Sequence, residues 1–212
     1  MATLITEENR NKPHKQPMRV TWETKVFRKD GTLKERKSGE NSLVAGFAFF
    51  VYIFLNTTPA DTEHDITNTL RVGYQLYPLA AVANGLLVGN NYTAGNTTTF
   101  GIVVGTNNTA VTADDYKLNT IVAAGVAASQ LYHYSCTCND VVTDATTANM
   151  RIDRVFANNS GGTITIKELG IYGYNGAPYT FCLCRDIIAD PGTDIDNGEY
   201  MQVQYTITVT EA

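Results

Sequence analysis

The stretch EYMQVQYTITVT, residues 199–210, decides the fold. Met201, Val203, Tyr205, Ile207 and Val209 are apolar, and Gln202, Gln204, Thr206, Thr208 and Thr210 between them are polar. Successive strand residues point to opposite faces, so this alternation predicts a strand with one dry face and one wet face.

The same kind of pattern recurs upstream. Arg151 to Ala157 and Thr163 to Tyr172 read as strands joined by the turn-rich Asn158-Asn159-Ser160-Gly161-Gly162, a long hairpin loop. Tyr179 to Ile187, Leu131 to Cys138 and Phe100 to Val104 read as further strands, with short ones around 70–76 and 86–88. Asp114 to Leu118 suggests a single helical turn with its aspartates at the positive end. Short strands broken by turn clusters, in a chain rich in Thr, Asn and Gly, predict a mainly β fold, an antiparallel, jelly-roll-like β-sandwich.

The N-terminal end is different in kind. Residues 1–40 carry ten Lys and Arg against six acids, a balance of +4, whereas residues 41–212 carry six against fifteen, a balance of −9. Residues 1–18 are polar, hold Pro13 and Pro17, and show no period, which reads as an extended arm. Arg19 to Phe27 then alternates, Asp30-Gly31 is a hairpin turn signal, and Thr32 to Lys37 returns. The division expected is a basic arm and hairpin over 1–40 and a sandwich body over 41–212, with the hairpin a ribbon ahead of the body. A basic arm on an acidic body suits docking on a neighbouring copy. Arg19, Trp22, Lys25, Phe27, Arg28 and Lys29 are the candidate assembly contacts. Six interspersed acids argue against nucleic acid as the partner.

Asn41 or Ser42 suits a helix cap, and the run that follows is apolar all round, which predicts one buried helix. The run from Leu43 to Leu55 has 13 residues, short of the ~20 that a bilayer span needs. No membrane partner is expected.

Reaction chemistry is not legible. There is no P-loop, G-x-S-x-G elbow, H-E-x-x-H or dinucleotide fingerprint. His14, His64 and His133 stand in unrelated contexts, and no carboxylate pair recommends itself for glycoside chemistry. Cys136/Cys138 and Cys182/Cys184 form two C-x-C pairs. Residues i and i+2 of a strand share a face, so the four thiols are weak candidates for zinc or for cross-strand disulfides, and buried reduced thiols are the simpler expectation. Asp190, Asp194, Asp196 and Glu199 offer oxygen ligands for calcium, but their spacing misses the EF-hand loop, and a polar turn accounts better for them. No cofactor or enzymatic activity is expected.

The order of these blocks resembles a recurrent type of tailed-bacteriophage virion protein. Such proteins open with a charged hairpin and a hydrophobic segment introduced by a Ser, here Asn41 to Phe47. An apolar strand with a Gly-Thr turn follows, then Thr-x-Asp-x-Tyr-x-Leu-like residues, here Phe100 to Gly105 and Val111 to Leu118. Next come an Arg-x-Phe-type strand with an Asn-Ser-Gly turn (Val155 to Ser160) and an Ile-x-Ile-x-Glu-x-Gly-Ile-Tyr block (Ile164 to Tyr172). A strand ending in Arg-Asp (Phe181 to Asp186) and a Gly-led last strand (Gly198 to Ile207) close the series. The resemblance implies a capsid decoration, minor capsid or tail component of a virion assembled in the host cytoplasm. Its partners would be other virion proteins and copies of itself, a trimer among the oligomers that fit. The competing expectation is a tail-fibre or adhesin-type module that binds host glycans through the loops at Asn90–Thr99 and Thr143–Asn149.

Overall fold

The computed structural model describes residues 18–48, 62–72, 96–174 and 179–210. The predicted terminal strand is β14 (Tyr200–Thr210), and it lies in the middle of the larger sheet. On one side it pairs antiparallel with β1 (Met18–Phe27) over ten consecutive positions, from Met18 opposite Val209 to Phe27 opposite Tyr200. On the other it pairs along β9 (Thr147–Ala157). The edges are β2 (Leu33–Glu40), beyond β1, and a broken strand beyond β9 made of β6 (Tyr132–His133), β7 (Thr137–Cys138) and β8 (Val142–Thr143).

A second antiparallel layer has the order β12 (Thr180–Ile187), β11 (Glu168–Tyr174), β5 (Gly101–Gly105). Two pairs complete the described strands: β3 (Thr62–His64) with β4 (Leu70–Val72), and β10 (Ile164–Ile166) with β13 (Thr193–Ile195). The core lies between the layers. Val20, Trp22 and Val26 of β1, Ile152 and Phe156 of β9 and Met201, Val203 and Tyr205 of β14 meet Ile102, Val104, Leu169, Ile171, Phe181 and Leu183. The mainly β, antiparallel expectation therefore holds, with one short helical turn at 45–48. The remainder of the expected buried helix, and the strand expected at 86–88, lie outside the described residues.

Several local expectations are corrected. The hairpin is not a ribbon ahead of the body. β1 is an interior strand between β2 and β14, and its alternate side chains are buried in the main core. The strands at 151–157 and 163–172 are not hairpin partners: β9 pairs with β14, whereas β10 pairs with β13. The Asn158 side chain turns the chain between them, donating to Gly162 O (2.7 Å) and Ile195 O (2.6 Å) and accepting from the Ser160 amide (2.9 Å). Asp114 to Leu118 forms no helix. There the Asp115 carboxylate accepts from the Thr112 amide (2.9 Å) and from Arg185 (2.8 Å), which fixes a turn instead.

Trp22 explains a glycine. Gly39 lies opposite it on β2, and a Cβ at Gly39 would stand 2.6 Å from the indole Cζ2. The bare glycine lets the ring lie across the edge strand and close that side of the core.

Candidate functional site

The residues expected to contact a neighbour separate into two groups. Trp22 is buried in the core, so it is withdrawn from any partner. Phe27 is half-buried and stacks on Tyr200 with ring centroids 5.0 Å apart. Arg19 is exposed and pairs with Glu40 across the β1–β2 edge (2.8 Å), and Lys25 pairs with Glu23. Arg28 and Lys29 are exposed at the hairpin turn, where Arg28 donates to Leu33 O (3.4 Å). The loop at 28–32 is closed by Asp30, whose carboxylate accepts from the Thr32 amide (2.9 Å) and hydroxyl (2.7 Å), with Gly31 at φ 83°.

The acidic cluster near the C-terminal strand already has its cation. Lys34 of β2 reaches Asp196 Oδ2 (2.7 Å), Glu199 Oε2 (2.7 Å) and Asp194 O (3.3 Å). Burial pulls the Lys34 ammonium down, but its hydrogen bonds to Asp196 and Glu199 outweigh that and hold it above its ordinary value. The cluster clamps the hairpin to the β13–β14 link, assisted by Lys37 on Gly192 O.

The thiols do not converge. Cys138 is exposed, whereas Cys136, Cys182 and Cys184 are buried, and all four are free. Cys136 and Cys138 accompany the larger sheet and Cys182 and Cys184 the smaller. Within β12 the same-face expectation fails. A register shift between Ile171 and Tyr172 puts Cys184 opposite the first and Cys182 opposite the second, so that Leu183 is the extra residue. Cys184 then joins the main core, and Cys182 joins a separate cluster with Val44, Val103, Leu118 and Tyr172. Among the described residues no group of His, Cys, Asp and Glu is arranged to hold a metal.

Two buried arginines went unrecognised in the sequence. Arg185 has no exposed side-chain surface and bonds Glu168 (3.0 Å) and Asp115 (2.8 Å). It also bonds the Thr109 carbonyl (2.9 Å), which ties the 109–115 loop to the smaller sheet. Burial lowers the Arg185 guanidinium, yet the bonds to Asp115 and Glu168 raise it further. Among the described residues Arg154 of β9 meets no carboxylate. It donates to the carbonyls of Tyr134 (2.8 Å), Ile102 (2.7 Å), Thr97 (2.8 Å) and Phe100 (3.2 Å), and burial lowers it to about 10. Beside it, burial and the Arg154 charge lower His133 to about 4, and His133 stays neutral with Nδ1 on Thr97 O (3.1 Å). These groups face backbone and core, so they hold loops in place.

Part of the surface that remains open is apolar. By strand alternation Met18 and Val209 continue the dry face of β1 and β14, yet they are 40% and 49% exposed. Ile207 and Met150 beside them are only partly buried. Leu43, 38% exposed, forms the opposite wall of a groove of about 130 Å³ lined also by Arg19, Val20, Glu40 and Asn41. The dry face therefore outruns the second layer at the end where the chain enters β1. A larger hollow of about 340 Å³ lies above Thr21, Ser38 and Thr206, rimmed by Arg19, Glu23, Glu40 and Gln204. Its lining is mostly hydrogen-bonding.

Comparisons with protein-family models, curated proteins and solved structures gave no match.

Proposed function

We propose that this chain is a non-enzymatic structural component of a tailed-bacteriophage particle. In this reading it works by subunit packing and arm exchange on the capsid or at the head–tail assembly. One observation carries the reading: the dry face of the main sheet continues, uncovered, to Met18 and Val209, beside the entry point of the N-terminal arm. The order of sequence blocks supports the same class. The proposed occupant of the groove by Leu43 is the arm, residues 1–17, of a second copy. That arm carries Met1, Leu4 and Ile5 at its far end. An extended chain covers about 3.3–3.6 Å per residue, so this apolar end is long enough to reach a neighbouring body. Burying it would remove apolar surface from water on both partners.

The test is removal of residues 1–17. Sedimentation velocity should show the full chain associating and residues 18–212 staying monomeric, both with the same β-type circular dichroism. An unchanged oligomer after truncation would sink the arm hypothesis.

The second reading is a tail-fibre or adhesin-type module. It is favoured by the polar hollow over Thr21, Ser38 and Thr206, whose lining suits hydroxyl-rich ligands. It predicts hits on a glycan array that weaken on Gln204→Ala, and an array without hits counts against it.

A further inference from the structure

The side chain of Asp186 sits inside the sandwich without a cation among the described residues. It accepts hydrogen bonds from the Ser42 amide (2.6 Å), Asn41 Nδ2 (2.8 Å) and the Tyr205 hydroxyl (3.0 Å). Arg185, next along β12, turns the other way to Glu168 and Asp115. The groups that face Asp186 are Tyr205 from β14, Cys184 from its own strand and Asn41 from the segment after β2; its partner on β11 is the apolar Leu169. Only Tyr205 and Cys184 among these titrate, and burial pushes both well up, so both are neutral near pH 7. An ionised Asp186 is therefore a buried charge with dipoles around it and no counter-ion.

A second observation concerns Asn41. Its Oδ1 is buried and without a hydrogen-bond partner, while its Nδ2 donates to Asp186. Rotating the amide by half a turn would present Oδ1 to Asp186 as an acceptor, and only a protonated carboxyl has a proton to donate to it. The site thus holds partners for both protonation states. Residues 41–44 are otherwise attached by the backbone bonds Asn41 N to Val20 O (2.9 Å), Arg185 N to Ser42 O (3.2 Å) and Val44 N to Leu183 O (3.3 Å), by the Asn41 side chain on Cys184, and by the Val44 side chain buried against Val103, Leu118, Tyr172 and Cys182.

We infer that Asp186 is a protonation-dependent clasp: its neutral form secures residues 41–44 to the edge of β12, and its ionised form loosens them. The segment it controls connects the hairpin to the helical turn at 45–48 and carries Leu43, which lines the open groove. Above neutrality, opening of this segment would let the carboxylate reach water.

The linkage has a definite sign. Burial raises the Asp186 carboxyl from 3.8 to about 7, opposed in part by the Ser42 and Tyr205 bonds. Its contribution is therefore complete below the unfolded value and is lost as pH rises through the folded one. Between pH 5 and pH 8 this site alone should shift the unfolding equilibrium about a hundredfold toward the unfolded chain. His133 acts in the opposite direction over an overlapping range, so the wild-type profile by itself does not isolate Asp186. The measurement is urea unfolding of wild type and Asp186→Asn at pH 5 and pH 8. The ratio of the two unfolding constants should change about a hundredfold between these pH values, in favour of the variant at pH 8. A ratio independent of pH overturns the proposal. If the variant does not fold, carbon NMR of the wild-type carboxyl decides. A midpoint near 7, with amide protection at Ser42 and Val44 falling above it and that at Val103 retained, supports the clasp. A midpoint near 4, or protection at Val44 that follows Val103, refutes it.

Discussion

Arg185 and Arg154 have the same side chain and solve burial differently. Arg185 is neutralised by Glu168 and Asp115, whereas Arg154 is solvated by four backbone carbonyls. Removing one member of a buried charged set leaves the others uncompensated, at a cost of about 3–5 kcal/mol. Arg185→Met should therefore lower stability by about that amount in a urea titration, since the fully buried Glu168 would lose its cationic partner. His133 provides a pH prediction at the same scale. Its folded value of about 4 lies below its ordinary 6.5, so the fold binds fewer protons there than the unfolded chain. Stability from this site is complete above about pH 6.5 and declines as pH falls toward 4. Thermal melts of His133→Phe should lack this acid-side decline, and a variant with the wild-type slope would contradict it.

At the scale of elements, the hairpin shows what the sequence made legible and what it concealed. The alternation of Val20, Trp22 and Val26 and the Asp30-Gly31 turn were readable, because strand period and turn chemistry are local. The pairing of β1 with β14 was not, because nothing local to residues 18–27 specifies a partner almost two hundred positions away. The β12 bulge was hidden for a related reason: a two-residue alternation gives no sign of where Leu183 interrupts it. The buried arginines escaped because a charged residue in a strand reads as solvent-facing until its partners are known. Phe47 and the glycine before it were recognisable only as apolar, yet a Cβ at Gly46 would collide with the Cys182 carbonyl, so the helical turn packs directly on β12. Two predictions belong here. Gly39→Val should cost about 1–3 kcal/mol by displacing the Trp22 ring, read as a lower urea midpoint and altered tryptophan fluorescence. Lys34→Met should weaken the hairpin clamp modestly, an effect smaller at high salt because the pair is partly exposed.

At the scale of the molecule, the larger sheet joins the N-terminal hairpin to the last strand, so the ends of the described chain support one another. Truncation to residue 39 would remove Val20, Trp22 and Val26 from the core and expose the length of β14. That form should be unfolded or aggregated by circular dichroism and light scattering, whereas truncation to residue 18 should leave the fold intact. The wet face of the sheet is largely self-satisfied: Gln204 bonds Asp153 (3.1 Å) and Thr208 bonds Asn149 (2.7 Å). The proposed docking point for a second copy is the apolar end at Met18, Val209 and Leu43. Mixed-isotope cross-linking addresses that claim most directly. Equal amounts of labelled and unlabelled chain are combined and treated with a zero-length carboxyl–amine reagent. Arm exchange predicts cross-links from Lys12 or Lys15 of the arm to Glu40 at the groove, with mixed-isotope pairs among them. Cross-links confined to same-isotope pairs, or none at Glu40, would contradict arm exchange between copies.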